Sequence, residues 1–436
     1  MSSKTSSFKI WVAMARKPWA LALSFIAFFF ALPVNAALSL QNYANWKNML
    51  AGTAEVEKVL AHLYTSLNIA VVVVISIGAL VMALSFFSYL NNKRQIDFYH
   101  SLPVKRGKLF VVHSAAALLS LLLPYLINLG LSVVVVYAFG AGELLQAQVL
   151  VGGFLTHTLF AVAIFAVAVL AVGLSGGTVV ATLLSLFLLG VVPSWSQMLL
   201  YLMEIFYPTY YIVLYDWETI MIWGSPLTRY IAQITATQPL SLFDGGIIAG
   251  ATGIIFLLAL IIHLKRPSEA AGHAIAFPRL QGVVKYVVAA WGACGFGLFF
   301  YSLGDAGTVD TGRRWLVFGV VVGTVLMGQI GEIIFNADFR AIKKHWGGTG
   351  ILMAVLLVLV FAAAKDVTHF NDYLPQAADV AQINIRFTDV NPYVYDEYLI
   401  RNGDYDDADV RTMMRTESQE LEQGPIVDQA GIEAAL

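Results

Sequence analysis

The sequence predicts an all-α polytopic membrane protein with about nine transmembrane helices and a short acidic exterior segment at its C-terminal end. Three observations carry that expectation. The 436 residues are 58% hydrophobic and only 12% charged, against a charged share of about 25% in soluble domains, and the mean hydropathy is +0.73. Nine stretches reach the roughly 20 apolar residues that a helix needs to cross about 30 Å of hydrocarbon. Finally, the connecting segments alternate between basic and acidic. This arithmetic excludes a cytosolic enzyme, a nucleic-acid binder and a disordered chain.

The predicted spans are residues 18–37, 67–90, 110–138, 149–173, 178–200, 246–264, 283–302, 315–335 and 348–364. Ahead of them, residues 1–17 read as a short interfacial helix, with Phe8, Ile10, Trp11 and Met14 flanked by Lys9, Arg16 and Lys17. The same basic start, followed by an apolar core and Val34-Asn35-Ala36, also has the outline of a cleaved secretory signal. Either reading leaves the later topology unchanged. Segment 201–245 is rich in Tyr and Trp and holds Glu204, Asp216 and Glu218, a mixture that suits an interfacial or re-entrant stretch. Leu174-Ser175-Gly176-Gly177 reads as a tight turn between spans four and five.

Orientation follows from the basic residues. Segments 1–17, 91–108, 265–285 and 336–346 carry 16 Lys and Arg against 3 Asp and Glu. Segments 38–65, 139–148, 201–245 and 303–314 carry 5 against 9. The positive-inside rule places the first set in the cytoplasm, so the N-terminus is expected inside and the C-terminus outside a plasma membrane. The net charge of −2 divides accordingly: residues 1–365 balance at +9 and residues 366–436 at −11. In that tail, Gln382 to Thr388 alternates as a half-buried strand would and Asp406 to Glu422 reads as an exposed helix, so segment 365–436 reads as α+β.

The spans hold little chemistry. No G-x-x-x-x-G-K-[ST] or H-E-x-x-H occurs, and the single Cys294 excludes a disulfide framework or a cysteine metal site. Gly173 to Gly177 matches G-x-S-x-G, but a turn between membrane helices is not the strand–turn–helix context that the motif needs. The eight His are scattered, so no metal site is expected. Glu332, near the end of span eight, is the one clear intramembrane carboxylate, a boundary group expected to snorkel or to pair with Lys or Arg. The chain thus has a transporter's architecture with no catalytic residues and no cofactor of its own. Its energy is expected from a partner.

The longest charged loop between spans supplies a candidate partner surface. In Asn91 to Phe110, the residues Ile96, Phe98, Tyr99 and Leu102 are interleaved with charge, and Pro103 precedes Lys105, Arg106 and Lys108. This is an amphipathic segment under the membrane with an aromatic knob. A plain headgroup-anchoring loop has the same composition.

The run Asp97-Phe98-Tyr99-His100-Ser101-Leu102-Pro103-Val104-Lys105-Arg106 closely resembles the loop between spans two and three of ABC-2-type permease subunits. The resemblance is to those of Gram-positive acetoin-utilisation and antibiotic-responsive exporters. Lys265 to Phe277, containing Arg266, Ser268, Glu269, Gly272 and Phe277, resembles that family's R-x-S-E-x-A-G-x-A-I-x-F stretch, and Asp372-Tyr373-Leu374-Pro375 is a weaker third likeness. The resemblance implies a six-span permease core over 18–264, with a cytoplasmic loop and three further spans over 265–364. It also implies a separate cytoplasmic ABC ATPase, which binds ATP and Mg. On this reading Phe98, Tyr99 and Leu102 fill a groove of the ATPase, and Lys105 and Arg106 tie the segment to lipid headgroups or to ATPase carboxylates. The stretch from Arg266 is either a second ATPase contact or a helical return beneath spans six and seven. A pair of permeases is implied, with a second copy or a sibling. The rival readings are an ion-coupled secondary transporter using Glu332, a membrane-integral enzyme, and a signalling complex acting through the exterior segment.

Overall fold

The computed structural model describes residues 17–41, 69–101, 104–207, 209–210, 214–235, 240–304, 309–336, 340 and 346–372. The expected interfacial helix before Lys17, Leu102 and Pro103 in the loop, and the exterior segment after Asp372 lie outside the described residues. The chain divides into two compact units, Met1–Lys365 and Asp366–Leu436.

Among the described residues, nine helices are long and apolar enough to cross a membrane. They are α1 (Pro18–Leu40), α2 (Ile69–Phe86), α4 (Arg106–Ala138), α5 (Ala147–Leu174), α6 (Thr178–Phe206), α9 (Leu242–Lys265), α10 (Pro278–Gly304), α11 (Val309–Asn336) and α12 (Trp346–Ala364). Three shorter helices lie between them: α3 (Lys93–Ser101), α7 (Leu214–Trp223) and α8 (Pro226–Thr235). The protein is a multi-pass α-helical membrane protein, as its hydropathy predicts. Several helices outrun the apolar stretch that announces them. At about 1.5 Å per residue, the 33 residues of α4 reach well past the hydrocarbon, so its first turn carries Arg106 and Lys108.

Three spans contain an interior proline. In α1 the chain widens to a π-helical turn over Phe30–Val34, around Pro33, which has no N–H to donate. Pro124 in α4 is buttressed by Asn128, whose Nδ2 donates to the Pro124 carbonyl at 2.8 Å and to Phe25 O of α1 at 3.2 Å. Pro193 lies within α6.

Helix α5 forms the axis of the fold. In its most apolar 18-residue stretch 72% is buried, against 11% in α12. Helices α2, α6, α8 and α9 pack around it, and α1 and α4 complete the first bundle. One hydrophobic core joins these six spans, including Phe28, Ile75, Phe110, Phe165 and Leu189. Helices α10, α11 and α12 share a second core, with Ala293, Leu316, Val320 and Leu356 alongside Ile205 and Phe206 from the end of α6. Close approach of α10 and α11 requires glycine: a Cβ on Gly323 would stand 2.6 Å from Phe296 Cβ and 3.0 Å from Ala293 Cα. Trp291 Nε1 of α10 donates to Ser194 Oγ of α6 at 2.8 Å, linking the two groups of spans.

The aromatic segment 201–245 resolves into the α7–α8 pair, each of ten residues and too short to span. Tyr230 and Ile234 of α8 are buried in the first core. Tyr230 stacks on Phe160 with ring centres 4.6 Å apart, and its Oη lies 2.5 Å from His157 Nδ1 of α5. Arg229 Nη2 donates to Asp244 Oδ2 at 3.1 Å, while Ser241 Oγ accepts from Asp244 N at 3.0 Å and caps α9. Helix α8 is thereby packed against α2, α5 and α6.

Candidate functional site

Described residues of three of the basic segments, Lys17, 91–101 with 104–108, and 265–277, lie together at one end of the bundle. Lys17, at the start of α1, donates through Nζ to Ser85 O at the end of α2 and lies 5.4 Å from the centre of the Phe86 ring. Next to it the chain makes a short turn over Ser88–Asn91 and enters α3.

Asn92 starts α3. Its Oδ1 accepts from Arg94 N at 3.1 Å and from Gln95 N at 3.4 Å, satisfying backbone donors that a first turn leaves open. Helical periodicity then divides the aromatic residues. Ile96 and Tyr99, three apart, face the bundle. Ile96 is 1% exposed, and the Tyr99 ring lies 4.6 Å from Tyr89 and 5.5 Å from His113. Arg94, Asp97, Phe98 and Ser101 fall on the other side and are exposed, Phe98 to 53%. The aromatic knob expected from the sequence is therefore divided. Phe98 points outward, whereas Tyr99 is an inward anchor that seats α3 on the span ends. The third expected groove residue, Leu102, and two other members of the docking run, Pro103 and the His100 side chain, lie outside the described residues.

The basic re-entry divides similarly. Lys105 is exposed, but Arg106 is half-buried and its Nη1 donates to the Arg266 carbonyl at 3.0 Å. Arg106 thus has one bond within the chain, to the end of α9.

Arg266 is the largest correction to the sequence reading. It is 2% exposed, so its side chain is no second contact for a partner. Nη1 donates to Val172 O at 2.7 Å and Gly173 O at 3.1 Å, and Nη2 donates to Leu90 O at 2.9 Å and Asn91 Oδ1 at 3.3 Å. These carbonyls belong to the last turn of α5 and the turn after α2, positions with no intrahelical donor. Deleting the guanidinium would remove the donor to Gly173 O and Leu90 O at about 1–3 kcal/mol each, while Val172 O would keep its bond from Ser175 Oγ. Burial pulls the Arg266 pKa down to about 10, partly opposed by the Tyr89 hydroxyl, so the group stays cationic at neutral pH. The Tyr89 phenol is pushed up, chiefly by burial.

The rest of the second motif is a tight turn followed by an extended return that makes one isolated antiparallel bridge, Ser175 to Ile275, and not a helical return beneath spans six and seven. Ser268–Ala270 form one tight turn that packs against α3. Gly272, at φ +91°, turns the chain back. Gly272 N then donates to Gly176 O at 2.8 Å, Gly176 N to Ala274 O at 3.0 Å, and Ala276 N to Leu174 O at 2.7 Å. A Cβ on Gly176 would lie 2.2 Å from Ala270 O, so no other residue fits this turn. Ser175, of the G-x-S-x-G match, is fully buried and donates to Val172 O at 3.2 Å. Glu269 stays exposed and Phe277 is half-buried.

Glu332 lies elsewhere. Its Oε1 accepts from Lys285 Nζ of α10 at 2.6 Å, and its Oε2 accepts from Asn336 Nδ2 at 3.0 Å, with the two charged side chains 4% and 9% exposed. Lys285 also lies 4.3 Å from the centre of the Tyr286 ring. The carboxylate is paired across α10 and α11, as its boundary position suggests.

Sequence reasoning missed the inward partners Tyr89, Asn91 and His113 and the capping by Asn92. Only Asn92, directly before a helical pattern, carried a readable signal. Fold and site together define a multi-pass helical membrane protein whose basic end presents a short, firmly seated amphipathic helix. Set against known proteins, the chain matches no family profile, no curated protein and no solved structure.

Proposed function

We propose that the chain is the membrane permease subunit of an ATP-driven exporter of the ABC-2 kind, coupled to a separate cytoplasmic ATPase through segment 93–108. One observation carries this reading: α3 exposes Arg94, Asp97 and Phe98 while its opposite face is locked to the ends of the spans. A helix that is solvated on one side and fixed on the other can take a push from outside and pass it to the membrane helices. The absence of a phosphate-cradling motif from the sequence supports an external energy source. In this reading Phe98 is the anchor in the ATPase groove, ATP and Mg bind the ATPase, and two permeases work as a pair in the plasma membrane, each with its N-terminus in the cytoplasm. The pairing of Glu332 with Lys285 speaks against its use as an ion relay.

The test is affinity capture. Detergent-solubilised chain should retain an ATPase encoded in a neighbouring reading frame, and Phe98→Ala with Arg94→Glu should release it. Solute movement by the purified chain alone, driven by an ion gradient, would instead establish a secondary transporter.

A further inference from the structure

We infer that Arg266 is the positioning residue that makes α3 and the basic ends of α2, α4, α5 and α9 a single transmission unit. The inference rests on the permease reading for its purpose, but the geometry stands by itself. Arg266 directly follows α9. Its guanidinium reaches Leu90 and Asn91 after α2, and Val172 and Gly173 at the end of α5. Its carbonyl accepts from Arg106 at the start of α4. One residue therefore bonds to segments continuous with three spans and is itself continuous with a fourth. Leu90 and Asn91 lead directly into α3, which is further held by Ile96, Tyr99 and the turn Ser268–Ala270. Lys17 at the start of α1 bonds Ser85 O and Ser88 Oγ in the turn that Arg266 holds, so α1 is tied to the edge of this knot.

A planar guanidinium with five fixed donors suits acceptors that diverge in two directions. An ammonium on a flexible stem does not. The role is thus one of geometry more than of charge. A displacement of α3 moves α2, α4, α5 and α9 together, relative to the α10–α12 group. Without the guanidinium, α3 shifts and the spans stay where they are.

The experiment has two arms on the full chain in lipid nanodiscs. Hydrogen exchange is measured first, without any partner, on wild type, Arg266→Lys, Arg266→Met and the milder Arg106→Gln. Both Arg266 variants should raise exchange at least tenfold in 93–101, 174–177 and 270–277 together, with α10–α12 unchanged. Arg106→Gln should show a smaller rise in the same segments. Exchange that rises only beside residue 266, or a return to wild-type protection in Arg266→Lys, would overturn the inference. The second arm adds the ATPase. Arg266→Lys should bind it within about twofold of wild type yet lose at least tenfold of the permease-dependent ATP turnover. Unchanged turnover would overturn the transmission role. An ATPase that fails to bind the wild-type chain refutes the permease reading, and the exchange data still decide on the unit.

Discussion

The buried Lys285–Glu332 pair offers a sharp quantitative test, because it separates an internal strut from a working ion site. The perturbations are Lys285→Met, Glu332→Met and the double replacement. With the two side chains only 9% and 4% exposed, removing either partner strands a charge in a region of low dielectric. Such losses cost about 3–5 kcal/mol, a change of roughly two to four orders of magnitude in the folding equilibrium. The double variant strands no charge, and two methionines fill the volume. Asn336 loses one acceptor, Glu332 Oε2, at about 1 kcal/mol, and keeps its bond to the Glu332 carbonyl at 2.8 Å. The double variant should therefore lie within about 2 kcal/mol of wild type, giving a coupling energy of about 3 kcal/mol or more in the cycle. Reversible unfolding in mixed micelles, followed by tryptophan fluorescence, supplies the numbers. Single variants that each cost less than about 1 kcal/mol and simply add in the double would refute the reasoning. The double variant should also keep transport. A folded double variant that has lost it would make the pair part of an ion pathway.

Other expectations concern the seat of α3 and the topology. Asn92→Ala removes the acceptor for Arg94 N and Gln95 N and should destabilise α3 by about 1 kcal/mol, read as faster amide exchange confined to its first turn. Gly176→Val cannot place its side chain beside the Ala270 and His273 carbonyls; it should break the pairing with 272–276 and sharply reduce the yield of monodisperse protein, whereas Gly190→Ala, with open space around it, should not. On a Cys294→Ala background, Phe98→Cys should react with an impermeant maleimide only from the cytoplasm. Leu242→Cys, 98% exposed at the start of α9, should react only from outside. Labelling of both from one side would contradict the topology.

The nine spans were legible because hydropathy is a one-dimensional signal that needs no knowledge of neighbours. The boundaries drifted where helices continue past the hydrocarbon, as at Arg106, where composition changes but the backbone pattern does not. The site was legible only in outline. Which side of α3 faces inward depends on Tyr89 and His113, so Tyr99 and Phe98 look equivalent in sequence and are opposite in space. Arg266 reads as one more positive charge after an apolar run, because its acceptors Val172 and Leu90 lie 94 and 176 residues away. Glu332 was easier: a carboxylate at the end of an apolar helix needs a cation, although nothing local points to Lys285, 47 residues distant.

Phe98 of α3 is proposed here as the anchor for an ATPase, and a direct affinity measurement tests it. The chain in nanodiscs is titrated with the ATPase from the neighbouring reading frame, comparing wild type with Phe98→Ala. Loss of an aromatic anchor at the centre of such an interface costs about 2 kcal/mol or more, so the account predicts a Kd weakened at least tenfold, with the amide protection of α3 unchanged. Equal affinity of both forms, or no binding by the wild-type chain, would contradict it.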